Sequence, residues 1–113
     1  MLFSETLMSA FNEQITPEIK SLLGELFYGN ASYESIQNSK ALMDLVYISG
    51  TVLVDRHGGE GEGDEYYAVY EFKSDLGEIC YIKFRGFYAS YYGAEYEECF
   101  LVNPVTKTIV VYE

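Results

Sequence analysis

Along the chain, the spacing of hydrophobic positions changes once, near Leu45. Before it, apolar residues recur every three or four positions, the period of a helix that buries one face. After it they alternate, which is the period of a strand. Residues 1–44 therefore read as helical and residues 45–113 as a sheet, within a single domain spanning 1–113.

Three helices are expected. The first follows Ser4, a suitable N-cap, and carries Leu7, Met8 and Phe11 on one side. The second begins at "TPE", where Thr16 caps, Pro17 takes the first helical position and Glu18 meets the positive helix end. Ile19, Leu22, Leu23, Leu26 and Phe27 then line one face. "YGNAS" ends that helix. Ser32 caps a third, with Ile36, Leu42, Met43 and Leu45 inward, although "QNSK" interrupts its pattern.

The strands follow. "LVYISGTVLVD" should set Val46, Ile48, Gly50, Val52 and Val54 on one face, with Tyr47, Ser49, Thr51 and Leu53 on the other. "EYYAVYEF" is a second strand and "SDLG" a tight turn. "EICYIKFRGFYASYY" is a long third strand, with Cys80, Ile82 and Phe84 opposite Tyr81, Lys83 and Arg85. Gly86 inside it marks a bulge or bend. "YEECFLV" is a fourth strand, "NPVT" a turn and "KTIVVYE" a fifth strand. Short connections make an antiparallel meander. The expected fold is α+β: N-terminal helices packed on one face of an antiparallel β-sheet of about four to five strands.

Composition narrows the function. The 113 residues suffice for one modest core. Eighteen acidic residues face seven basic ones, a formal charge of −11, and 12 Tyr and 7 Phe accompany no Trp. Such a surface keeps the protein in solution. It repels nucleic acid and anionic membrane and attracts basic surfaces, including those that hold nucleic acid. Neither direct nucleic-acid binding nor membrane binding is expected. "MLFSETLMSAF" has no basic n-region, and Ser4, Glu5 and Thr6 break its apolar run, so no secretion signal is expected. No run approaches the roughly 20 apolar residues of a membrane-spanning helix. A cytoplasmic setting follows as the expectation. Cys80 and Cys99 lie in apolar strand patterns without C-x-x-C spacing, so they read as buried free thiols.

The stretch "RHGGEGEGDEYY", Arg56 to Tyr67, contains the only histidine. A phosphate-binding glycine loop needs a helix after it, but a strand pattern follows here. The usual lysine is missing, and Asp55, Glu60, Glu62, Asp64 and Glu65 would repel a phosphate. A calcium loop of the EF-hand type needs helices on both sides. His57 beside Asp55 or Glu60 could form a general base pair, yet no nucleophile stands at a telling spacing. No catalytic residue, cofactor or metal is therefore assigned; weak divalent binding by the loop stays open. The stretch reads as a long acidic hairpin tip, with backbone freedom from Gly58, Gly59, Gly61 and Gly63.

"RHGGEGEGDEYYAVYEF" is followed by "GFYASYYGAEYEE" and then by "VNPVTKTIVVYE". In this order they resemble a group of small bacteriophage-encoded proteins, in which a GGEG loop, a Y.S..G segment and a terminal P..K.V.VYE recur. The resemblance runs from about Asp55 to Glu113, half of the chain, and carries no known chemistry. It implies a phage origin. Small acidic phage proteins often inhibit host machinery such as restriction enzymes, CRISPR effectors and polymerases, by occupying a basic nucleic-acid site or blocking a working surface.

Candidate partner-binding residues follow from charge and tyrosine. Glu60, Glu62, Asp64 and Glu65 belong to the glycine loop; Tyr91, Tyr92, Glu95, Glu97 and Glu98 flank the turn at Gly93. In a meander both loops fall at one end of the sheet, making an acidic, tyrosine-rich rim. Tyr91 and Tyr92 are adjacent and cannot both point inward; tyrosine suits an interface anchor. Lys83 and Arg85 read as cross-strand partners for carboxylates. The expected function is inhibition of a host protein with a basic surface, by protein–protein contact or nucleic-acid charge mimicry, without enzymatic activity. An immunity protein or antitoxin against a basic toxin, and a small-ligand-binding protein or hydrolase around His57, are the alternatives. A homodimer stays open.

Overall fold

In the computed structural model, residues 2–58, 65–89, 93–105 and 112 are described. Four helices come first: α1 (Phe3–Asn12), α2 (Pro17–Phe27), α3 (Tyr33–Asn38) and α4 (Lys40–Leu45). Four strands follow: β1 (Gly50–His57), β2 (Glu65–Lys73), β3 (Ile79–Ala89) and β4 (Gly93–Val102). The strands form one antiparallel sheet in the order β1-β2-β3-β4. This is the expected α+β meander, with the helices on one face of it. The "KTIVVYE" strand lies outside the described residues.

Local chemistry sets the helix boundaries. The Thr16 hydroxyl accepts from the Ile19 amide at 3.2 Å and Pro17 sits at the helix start, as the "TPE" signal implies. Ser4 does not cap α1. That helix begins earlier, at Phe3, and Leu2 holds the cap position without a side-chain bond. The gain is that Phe3 turns inward and is buried. The expected third helix is two short ones. Ser39, extended at ψ 92°, breaks it within "QNSK". Ser32 and Ser35 close a reciprocal capping box at the start of α3.

The core lies between the helices and one sheet face. Tyr66, Ala68, Tyr70 and Phe72 of β2, with Cys80, Ile82 and Phe84 of β3, are buried there. Leu7 and Phe11 of α1 and Ile19, Leu23, Leu26 and Phe27 of α2 close over them. Phe11 meets Phe84 edge-on at 5.5 Å, and Phe27 packs on Tyr66 at 5.0 Å and Tyr96 at 5.6 Å. Cys80 and Cys99 are buried free thiols. Among the described residues, no helix is long and apolar enough to cross a membrane.

The first strand departs from its expected pattern. Val46 and Ile48 are buried, but the alternation does not carry through to Val52 and Val54. Extended chain before Gly50 docks against the helices, and the Gln37 amide donates to the Ile48 carbonyl. The sheet proper starts at Gly50, and from there Thr51 is the inward residue. A bulge between Leu53 and Asp55 shifts the register again. Val52 and Val54 are thereby exposed.

Burial of protonated groups makes the fold sensitive to alkali. Burial pushes the Tyr70 phenol from 10.0 up to about 12 and the Cys80 thiol from 9.0 up to about 11. Both folded values are raised, so their contribution is complete below pH 9 and is lost as pH rises toward 12. The melting temperature should be level between about pH 7 and pH 8.5, then fall steadily above that. A melting temperature unchanged up to pH 11 would contradict this assignment.

Candidate functional site: the open face and loop end of the sheet

The sheet face opposite the helices carries the exposed and half-exposed strand residues, and pairing sorts these into rows. Glu65, Phe87 and Glu95 lie side by side across β2, β3 and β4. The next row is His57, Tyr67, Arg85 and Glu98, and the one after is Asp55, Val69, Lys83 and Phe100. The first row stands at the end where β1 turns into β2 and β3 into β4. The described members of the predicted rim, Glu65, Glu95, Glu97 and Glu98, thus gather at this one end. Glu60, Glu62, Asp64, Tyr91 and Tyr92 lie outside the described residues.

Two glycines shape this end. Gly58 holds φ +118°, and a Cβ there would come within 2.7 Å of the Tyr66 ring and 2.9 Å of its Cα. Only glycine lets β1 end so close to β2. At Gly86 a register shift leaves β4 with one extra residue, Glu97, between Glu98 opposite Arg85 and Tyr96 opposite Gly86. This bulge directs both Glu97 and Glu98 toward Arg85.

Charges on the face are partly paired. Arg85 reaches Glu98 at 2.9 Å and Glu97 at 3.3 Å, and Lys83 reaches Glu65 at 3.1 Å. The expected partnership of these two cations with carboxylates is thus observed. The hydrogen bond to Glu98 pushes the Arg85 pKa further up. Lys83 also lies 4.0 Å above the Tyr67 ring, and the Arg85 guanidinium is 5.4 Å from the Phe87 ring. Among the described residues, Glu95 forms no ion pair. His57 stacks on Tyr67 at 5.5 Å and has no carboxylate within ion-pair distance among the described residues.

A groove of about 660 Å³ includes Asp55, Tyr67, Val69 and Lys83 of the second and third rows and extends along Val54 and Val102. Tyr67 and Tyr81 flank it. Tyr67 donates to Asp55 at 3.4 Å and Tyr81 to Glu71 at 3.0 Å. Burial first, and then Asp55, raises the Tyr67 pKa; the bond to Glu71 raises that of Tyr81. Both phenols stay neutral donors at physiological pH. A second cavity, about 450 Å³, opens between α2 and α3 beside Glu18, Glu25 and Ser39 and shares no residue with the rim. Among the described residues, no three histidine, cysteine or acidic side chains are grouped as a metal site.

Phe87 escaped the sequence reading. It is exposed between Glu65 and Glu95, an apolar ring framed by carboxylates. Its signal was parity: two residues beyond Arg85, it shares the open face. Its place within the apolar "GFYASYY" hid that.

The fold and site define a small α+β domain with one helix-covered sheet face and one open, acidic, aromatic face. No family model, curated protein or solved structure matches the chain.

Proposed function

We propose that this chain is an acidic binding protein, acting in the cytoplasm, that inhibits another protein by covering a basic surface which otherwise holds nucleic acid. In the setting implied by the phage resemblance, the target is a host enzyme such as a defence nuclease. One observation carries the reading. Glu65, Phe87 and Glu95 form a row at the loop end of the open face, beside Glu97 and Glu98, on a chain of charge −11. Carboxylates there meet lysines and arginines; the Phe87 ring supplies apolar area at the centre.

The test begins with capture of a partner from host lysate and continues with competition by nucleic acid. Nucleic acid should displace the protein from its partner. Glu60, Glu62, Glu95 and Glu97 replaced together by Gln should weaken binding by about tenfold, since each rim pair contributes on the order of 0.2–1 kcal/mol. Normal binding by the Gln variant, with no competition from nucleic acid, would overturn the proposal.

A further inference from the structure

The two edges of the sheet differ. β4, at one edge, is defended: Glu95, Glu97 and Glu98 stand along it, and Tyr28 bonds the Ala94 carbonyl; a bulge interrupts the pairing of each edge strand, at Glu97 in β4 and at Val54 in β1. β1, at the other edge, has none of these charges through its first five residues. Val52, Leu53 and Val54 are 56%, 37% and 47% exposed, so apolar side chains face water on both sides of the strand. It contains no proline. Among the described residues, only β2 pairs with it, and its outward N–H and C=O groups meet no other partner there. Such an edge is a template for another strand.

We infer that β1 is a self-association edge: a second copy of this chain adds its own β1 antiparallel, with the two-fold axis near Val52, in the regularly paired run before the bulge. Charge selects this occupant. A basic partner would find little on β1, where Asp55 and Arg56 cancel. For two copies that each carry −11, the same neutrality makes β1 a place where they can approach. Antiparallel pairing also keeps the acidic ends apart. The strand's acidic end, at His57, lies five residues from the axis, so the two ends stand about 33 Å apart, beyond the roughly 8–10 Å over which charge acts in ordinary salt. A two-fold axis brings each strand against its twin, the isologous contact of most homodimers. The result is a continuous sheet that joins the four described strands of each copy, with the open face running across both copies.

The contact is small, so association should depend on concentration. Its salt response sets it apart from the proposed basic partner: screening the repulsion strengthens a like-charged dimer and weakens an acid–base complex. Sedimentation velocity on the full chain, at rising concentration and at about 0.05 and 0.5 M sodium chloride, is the experiment. The dimer fraction should rise with both. Val52→Lys with Val54→Lys should return the protein to monomer, with an unchanged circular dichroism spectrum. Val52→Thr with Val54→Thr, which keeps strand propensity without adding charge, should weaken the dimer by several fold.

A monomer at every concentration and salt would overturn the inference. So would a dimer indifferent to both double variants. Slow, concentration-independent hydrogen exchange at the outward amides of β1 would do the same, since the edge would then be filled within the chain. Val52→Lys alone, which leaves the groove at Val54 intact, should lose dimer and still bind a basic partner; a loss of dimer alone leaves the proposed function untouched.

Discussion

Phe11→Ala should cost about 3–5 kcal/mol of stability, among the largest losses open to a single side chain here. Phe11 is fully buried and joins α1 to the sheet through Phe84 at 5.5 Å and Phe72 at 5.9 Å. Truncation removes the ring's transfer energy and leaves a cavity that rigid strands cannot fill. Against a total of about 5–15 kcal/mol for a domain of this size, that is a fifth or more. The melting temperature should drop by roughly 10–20 °C. Phe100→Ala, at an exposed position on the open face, should change stability by no more than about 1 kcal/mol. Equal losses at the two positions in a chemical denaturation series would contradict the placement of the core.

Gly86→Ala should be nearly as damaging, for the opposite reason. A Cβ at Gly86 would stand 1.8 Å from the Glu95 carbonyl oxygen and 3.0 Å from the Phe27 ring. The first obstacle is backbone, so no rotamer change relieves it. β3 and β4 must part or the bulge must be lost. Overpacking typically costs about 1–3 kcal/mol, and a backbone clash belongs at or above the upper end. Loss of the bulge would also withdraw Glu97 and Glu98 from Arg85. Denaturation should therefore show a drop of about 3 kcal/mol, and binding of a basic partner should weaken beyond what stability explains. Wild-type stability in Gly86→Ala would mean that β3 and β4 are not in this register.

Much of this was legible in the sequence because local signals agreed with the fold. Thr16 and Pro17 fixed the start of α2, and period-two alternation in "EYYAVYEF" and "ICYIKF" gave both faces of β2 and β3. Gly86 marked the place of the irregularity as a bulge or bend, although the extra residue, Glu97, lies on β4. Where the reading failed, tertiary packing overrode pattern. Ser4 lost the cap position because burying Phe3 required an earlier start. Val52 and Val54 look like core by alternation, yet the register shifts after Ile48, where extended chain becomes strand. No periodicity argument sees such a shift. For the site, the gathering of Glu65, Glu95, Glu97 and Glu98 followed from strand direction alone. Phe87 did not, because an exposed ring inside an apolar run carries no local sign of exposure.

The central claim is that carboxylates at the loop end of the open face guide this protein to a basic surface. The most direct measurement is the association rate constant with the captured partner, followed from about 0.05 to 0.5 M salt. For the native chain the rate should fall by about tenfold or more across that range. The chain with Glu60, Glu62, Glu95 and Glu97 changed to Gln should start slower and respond less to salt. A rate that ignores salt, and is the same for both chains, would contradict the account.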